Sequence, residues 1–196
     1  MKFVIASHNQ NKIQELQRII AVRGNTAIPY TNLIQKQQFP VEGESSYLEN
    51  AQQKALYISK QLPHSLIIAD DSGLQLEAYP EIMGVRTARD LAQCKTPHDY
   101  DQYVLRLVKD HDRAFQMQTT IVCAHQGKVL ATADGILRGQ IAKTERGNGG
   151  DGFNRILIPD NTRHTLAEMN FRERYYFLTR ARAVDQLLWQ LKDNHN

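Results

Sequence analysis

The stretch Ala69-Asp70-Asp71-Ser72-Gly73-Leu74 follows the apolar run Leu66-Ile67-Ile68. The run reads as a buried strand, and Asp-Asp-Ser-Gly reads as the turn that ends it. Two adjacent carboxylates at the edge of a core each raise the other's pKa. Such a pair is tolerated where a cation sits between them or where one must take up a proton. In α/β sheets, ligands bind outside the carboxyl ends of the strands. The stretch therefore points to an α/β fold with metal-assisted chemistry at this strand end.

The flanking sequence extends the same pattern. Residues 3–6 predict a first strand. Residues 11–22 predict a helix with Ile13, Leu16, Ile19 and Ile20 on one face, closed by Gly24. Residues 28–33 read as a weaker strand broken by Pro29, 37–46 as a polar loop, and 47–61 as a helix striped by Leu48, Ala51, Ala55 and Ile58. Further along, the patterning predicts a helix over 96–112 and a hairpin of strands 115–124 and 128–133 around Gln126-Gly127. Another strand over 136–142, a glycine-rich loop from Arg146 to Gly152 and a last helix over 174–192 follow. Alternating helices and strands give an α/β class with a hairpin-rich second half. With no repeat and no linker, residues 1–196 read as a single domain.

The bulk properties exclude several classes. The chain has 196 residues, 41% of them hydrophobic and 23% charged, which is ordinary for a soluble globular protein with a real core. A net charge of +3 is too small to imply nucleic acid as a partner and suits a cleft for a small anion. No apolar run approaches the ~18 residues of a membrane span. The apolar run after Lys2 is too short for a signal-peptide core. Cys94 and Cys123 have no metal or redox spacing and are expected to be free thiols in a reducing cytoplasm.

Four groups of residues could carry chemistry. Ser7-His8-Asn9-Gln10-Asn11-Lys12 joins a strand to a helix, where backbone N–H groups and Lys12 can hold a phosphate; the plainer alternative is a helix cap with a solvated lysine. Glu42, Glu44, Glu49, Asp70 and Asp71 form an acidic set. Magnesium needs only one or two of these carboxylates, because water and substrate phosphates complete its shell. Glu49 also suits the first turn of a helix. The glycine-rich loop has no Lys-Ser or Lys-Thr after it, so it is not a Walker-type phosphate loop. The cluster Arg172, Arg174, Arg180 and Arg182 reads by default as a solvated helix face, and the seven histidines as surface residues without ligand spacing.

Taken in order, these pieces resemble the inosine/xanthosine triphosphate pyrophosphatases, the house-cleaning nucleotide hydrolases. Ser7-x-Asn9-x-x-Lys12 with Glu15, Glu49-Asn50-Ala51-x-x-Lys54-Ala55, and Ala69 to Leu74 look like the family's phosphate and acidic motifs. Gly84-Val85-Arg86-Thr87-Ala88-Arg89, Gly150 to Pro159, Thr165 to Met169 and Arg180-Ala181-Arg182-Ala183 match its later blocks. The resemblance implies a two-lobed α/β protein with a central mixed sheet flanked by helices, an active-site cleft between the lobes, and a homodimer. It implies Mg²⁺-dependent cleavage of a nucleoside triphosphate between the α and β phosphates, giving a monophosphate and pyrophosphate. By analogy Asp71 is metal ligand and proton acceptor, with Glu42 (or Glu44) as the second carboxylate on the metal. Ser7, Asn9, Lys12, Lys54 and Arg180 would hold the triphosphate, and Ser72 would lie against the substrate. Phe153, Asn154, Arg174 and Thr179 would form the rest of the substrate site, while Arg89 braces a turn or the dimer.

The sequence leaves the family pattern mainly around the base. Asp151 stands where the family has a stacking Phe, Phe153 replaces a Tyr or Trp, Asn154 a base-reading Asp, and Arg155 the following Pro. Leu178-Thr179-Arg180 replaces Ser-His-Arg, and Arg174 replaces a Lys. Losing a stacked aromatic forfeits ~1–3 kcal/mol per base, and Asn donates where Asp only accepts. These swaps imply an altered base preference: inosine, xanthosine and deoxyinosine triphosphates by family, with a modified purine or a pyrimidine as the alternative. A non-catalytic nucleotide-binding homologue is the competing class, and Asp71, Lys12 and Lys54 argue against it.

Overall fold

The computed structural model describes residues 1–193. The predicted α/β class is what the chain adopts, as a mixed seven-stranded sheet flanked by helices. The strands are β1 (Lys2–Ile5), β2 (Thr26–Pro29), β3 (Leu66–Leu76), β4 (Tyr79–Met83), β5 (Ala114–His125), β6 (Lys128–Ile141) and β7 (Leu157–Pro159). The helices are α1 (Gln10–Val22), α2 (Tyr47–Gln61), α3 (Thr87–Asp90), α4 (Pro97–Leu107), α5 (Phe171–Tyr175) and α6 (Thr179–Asp193), with short 3₁₀ turns between some of them. The strand order is β2-β1-β3-β5-β6-β7, with β4 paired to β3. β1 runs parallel to β2 and β3, whereas β4 is antiparallel to β3 and β7 to β6.

Contacts divide the chain into two compact units. The first holds residues 1–71, 119–135 and the chain from Arg180; the second holds 72–118 and 136–179. In the first, Ile67 and Ala69 of β3 pack with Ala51, Ala55 and Ile58 of α2, and Val122 and Ala124 of β5 join them. In the second, Leu74, Leu76, Phe115, Leu137 and Ile141 form a core with Val104 of α4 and Val108 just after it. Among the described residues no helix is long and apolar enough to cross a membrane. Both cysteines are free, and burial pushes the Cys123 thiol up to about 12, which keeps it unreactive.

Local signals account for the helix ends. Ser46 caps α2 by accepting from the Glu49 N–H at 3.2 Å, so the predicted span 47–61 holds to the residue. Thr96 and Asp99 form a reciprocal capping box on α4, whose helix stops at Leu107 rather than at 112. Elsewhere the expectations need correction. The strand predicted over 28–33 ends at Pro29 and gives way to a 3₁₀ turn, because proline lacks the N–H a ladder needs. The two strands predicted on either side of Gly135 are one 14-residue strand, β6. The hairpin turn falls at Gln126 and Gly127, both at positive φ (51° and 70°), as a two-residue turn requires. The last helix is broken at residues 176–178, and Asn170 with Glu173 caps the short α5 before the break.

The largest correction concerns the decisive stretch. Asp70, Asp71, Ser72 and Gly73 are not a turn: β3 runs through them to Leu76. Thr87 braces the far half of this strand, accepting from the Leu74 N–H at 3.0 Å while donating to the Gly84 carbonyl at 2.6 Å.

Close strand packing also fixes one glycine. A Cβ at Gly139 would stand 2.0 Å from the Ile158 carbonyl oxygen and 3.0 Å from Phe115. Gly139→Ala is therefore expected to push β6 and β7 apart and to destabilise the protein by about 1–3 kcal/mol, lowering the melting temperature by several degrees in a thermal scan. An unchanged melting temperature would show that this backbone approach is not needed.

Candidate active site

Alternation along β3 sends Asp70 and Asp71 to opposite faces of the sheet. Asp71, 6% exposed, points with Ile67 and Ala69 toward α2, where its Oδ2 accepts from Asn50 Nδ2 at 2.9 Å. Asp70 points the other way, to α1 and α6. Its Oδ2 accepts from Arg180 Nε at 2.9 Å and lies 3.4 Å from Lys12 Nζ. The two carboxylates therefore do not raise one another, as adjacency in the sequence suggested. Burial works against the Asp70 carboxylate, but Lys12, Arg180 and Lys54 together overcome it and hold its pKa well below the usual range. Burial pushes Asp71 up, against the pull of Lys54 and Lys12 and the Asn50 hydrogen bond. One carboxylate is thus locked as an anion and its neighbour is left more basic than an ordinary aspartate.

The cations around them are set by helix position. Asn9 caps α1, its Oδ1 accepting from the Lys12 N–H at 3.2 Å, and its own N–H donates to Ser7 Oγ at 3.2 Å. The turn is thus the helix cap the sequence offered, with its lysine drawn onto Asp70 rather than solvated. The Ala6 N–H donates to the Ile68 carbonyl at 2.8 Å, which places the end of β1 beside the part of β3 just before Asp70. Burial lowers the Lys12 pKa, against the attraction of Asp70. On α2, one turn beyond Asn50, Lys54 Nζ donates to the Asp70 carbonyl at 2.8 Å and to Glu42 Oε1 at 2.7 Å. Of the two loop glutamates offered by the sequence, Glu42 is the one bound to this lysine.

Asn50 and Glu15 do more than their place in a motif conveyed. Asn50 accepts from the Gly43 N–H at 2.8 Å and donates to the Gly43 carbonyl at 3.1 Å while holding Asp71. It ties the irregular 37–46 segment to the carboxylate. Glu15 accepts from Arg180 Nη1 at 2.7 Å. Arg180 and Arg174 are buried or nearly so, which overturns the solvated-face reading for both; Arg172 and Arg182 are exposed as that reading requires. Of the histidines, 8, 64, 98, 111 and 164 are exposed and His125 is half-buried, while His195 lies outside the described residues. His8 stacks on Phe39 at 4.5 Å and bonds to Tyr30 Oη at 2.6 Å.

The second unit carries the other candidates. Gly149 and Gly150 pass over Asn154 and Arg174 so closely that a Cβ at Gly150 would meet Asn154 Nδ2 at 2.1 Å and Arg174 Cζ at 3.1 Å. The glycine-rich loop is thus a packed cover on these two side chains. Arg174 Nη1 donates to the carbonyls of Leu166 and Met169 at 3.3 and 3.4 Å. Asn154 is 8% exposed, and no hydrogen bond among the described residues engages its carboxamide. Its amide is not among the solvent-excluded atoms that lack a partner, so it stays accessible and suited to a ligand. Phe153 packs against the core beside Tyr100, with ring centres 6.3 Å apart. Thr179 is buried at the start of α6, Ser72 follows Asp71 in β3, and Asp151 is exposed.

The chain as a whole has known relatives. A family model described as the Ham1 family matches residues 3–190. Over 189 residues the chain is 47% identical to a dihydroneopterin triphosphate diphosphatase from Limosilactobacillus reuteri, covering 96% of this chain and 97% of that protein. It is 31% identical over 198 residues to a dITP/XTP pyrophosphatase from Thermus thermophilus, covering 98% and 93%. The solved structure of a Ham1 protein from Coxiella burnetii superposes with a TM-score of 0.82 at 28% identity, covering 98% of this chain and 99% of that one. With a family match across nearly its whole length, and a fold to suit, the chain belongs to the Ham1 family.

Proposed function

We propose that this Ham1-family hydrolase is a Mg²⁺-dependent triphosphate pyrophosphatase that cleaves between the α and β phosphates. Water adds to phosphorus, the α–β bridging bond breaks, and a monophosphate ester and pyrophosphate leave. The observation that carries this reading is Asp71: a buried carboxylate whose Oδ2 is aimed by Asn50 Nδ2 at 2.9 Å and which feels the charges of Lys54 and Lys12. A basic, oriented carboxylate can take the proton of the attacking water. Lys12 and Lys54 supply charge for the triphosphate, and the N-terminal turn of α1 behind Asn9 offers N–H groups to it. Arg180 is committed to Asp70 and Glu15, so its part is to keep Asp70 ionised beside Lys12.

Asp71 and Glu42 offer only hard oxygen donors, and no cluster of three or more metal-ligating side chains exists among the described residues. That donor set fits Mg²⁺, which takes one or two carboxylates and completes its shell with water and phosphate. Held there, Mg²⁺ would supply positive charge to the phosphates undergoing cleavage. The family resemblance supports a homodimer, and the two free thiols suit a cytoplasmic location.

For the organic part of the substrate, dihydroneopterin triphosphate is the first choice, ahead of dITP and XTP. It is supported by the identity of 47% with the Limosilactobacillus enzyme against 31% with the Thermus one. The replacement of the family's base-reading Asp by Asn154 agrees with a changed ring, since Asn154 both donates and accepts. Pyrophosphate release across a panel of triphosphates tests this. The kcat/KM for dihydroneopterin triphosphate is expected to exceed that for dITP and XTP at least about tenfold, a discrimination that one well-placed polar contact can give. A faster reaction with dITP would overturn the pterin assignment.

Asp71→Asn is expected to lower kcat at least about 100-fold while leaving the melting temperature within a few degrees. A near-normal rate would remove Asp71 from the reaction. Arg180→Met strands the Asp70 carboxylate and is expected to cost about 3–5 kcal/mol in urea denaturation at neutral pH. Because the folded pKa of Asp70 is depressed, its stabilisation is fully present above about pH 4 and is lost as pH falls below that value. The gap between Arg180→Met and wild type should therefore narrow in acid; a gap that stayed constant would contradict the pairing.

A further inference from the structure

Arg155 occupies the position where the resembled family has proline, immediately after Asn154. Its guanidinium reaches two carboxylates that the proposed reaction does not use. Nε and Nη2 both lie on Asp101 Oδ2, at 3.0 and 2.9 Å, and Nη1 lies on Glu145 Oε2 at 3.1 Å. Asp101 belongs to α4 and is fully buried. Glu145 is held in turn from α4, by Gln102 Nε2 at 3.1 Å and His98 Nδ1 at 2.6 Å from its Oε1. The Arg155 carbonyl accepts from the Arg146 N–H at 2.9 Å, and the Asn154 carbonyl from the Ala167 N–H at 2.8 Å. Backbone bonds thus hold the 151–157 turn at two points, and one guanidinium fastens it to α4 and to the start of the glycine-rich loop.

This arrangement has a high cost if its only purpose is stability. Burial pushes the Asp101 carboxyl up to about 7 against the pull of Arg155, and Asp101 Oδ1 has no hydrogen-bond partner. Buried ion pairs are often no more stabilising than apolar residues of the same volume. What a guanidinium fork adds is a fixed direction for the backbone it grows from. The residue whose direction is fixed is Asn154, which is 8% exposed and whose carboxamide makes no hydrogen bond among the described residues.

We propose that Arg155 is a positioning residue for ring recognition: clamped between Asp101 and Glu145, it holds the preceding Asn154 carboxamide in the one orientation that pairs with the substrate's ring. The proposal rests on the reading of Asn154 as the ring-reading group. The clamp takes over, through charge, the stiffening that proline gives covalently. It acts on the ring and not on the phosphates.

The test uses Arg155→Met, Arg155→Lys, Asn154→Ala and the double variant Arg155→Met/Asn154→Ala in the full chain. The ring-bearing probe is dihydroneopterin triphosphate or dITP, whichever the panel shows to be the better substrate. The ringless probe is inorganic tripolyphosphate, used as a competitive inhibitor. Arg155→Met is expected to raise KM for the ring-bearing substrate about tenfold with kcat changed less than about threefold, and to leave the tripolyphosphate inhibition constant unchanged. Arg155→Lys should recover part of the loss, and adding Arg155→Met to Asn154→Ala should cost nothing further. An unchanged KM, an equal weakening of tripolyphosphate, or additive losses in the double variant would each overturn the clamp. If Arg155→Met does not fold, Asp101→Asn with Glu145→Gln breaks the same two ion pairs from the acidic side and must show the same split. Asn154→Ala without effect on KM would overturn the ring assignment itself. An effect of Asn154→Ala with none from Arg155→Met would overturn the clamp alone.

Discussion

The first unit is organised around a buried carboxylate that cannot lose its charge. Asp70 is enclosed by Lys12 from α1, Arg180 from α6 and, through its own carbonyl, Lys54 from α2. A carboxylate in such a place without partners would protonate or unfold its surroundings. With them, it draws three helices onto one strand. The positions of Lys12 and Lys54, and hence the charge around Asp71, follow from that neutralisation. Asp70 itself is turned away from Asp71, so the chemistry proposed for one depends on the electrostatics of the other without their touching.

Strand alternation separates the roles of two residues that the sequence presents as a pair. In the turn that the sequence suggests, both carboxylates would share one environment, with coupled titrations. On β3 each takes the environment of its own face. Asp70 meets cations and is kept ionised; Asp71 meets a neutral amide and burial, and is made more basic. Dissimilar environments for two carboxylates are a common route to acid–base chemistry near neutral pH.

Much of this was legible beforehand, and the failures have physical causes. The boundaries of α2 could be read because Ser46 and the apolar stripe specify both cap and face. The parallel core strands could be read because short apolar runs flanked by helices leave few other structures open. The strand through Asp70 to Gly73 could not, since polar and small residues look like a turn until the burying cations are known. They come from residues 12, 54 and 180, far apart in the chain. The break before α6 was hidden because Phe177 and Leu178 continue an apolar pattern; the Asn170-x-x-Glu173 capping box was the signal available for α5. Of the candidate site, the residue types were legible and the bonds were not. Asn50 reads as one member of a motif, and only its three bonds show it tying a loop to Asp71. Arg155 registered as a departure from a family pattern, without any hint that Asp101, 54 positions earlier, was its partner.

The bond between Arg180 and Asp70 spans 110 positions, and that between Arg180 and Glu15 spans 165. During synthesis β1, α1, α2 and the first half of β3 leave the ribosome long before α6 is made. Until then the nascent first unit holds an acidic residue in its interior with no guanidinium to match it. That unit therefore closes late, after translation has passed through the whole of the second, and the intervening stretch can collapse first. A chain that stalled before residue 180 would expose apolar sheet surface and give chaperones and proteases a substrate.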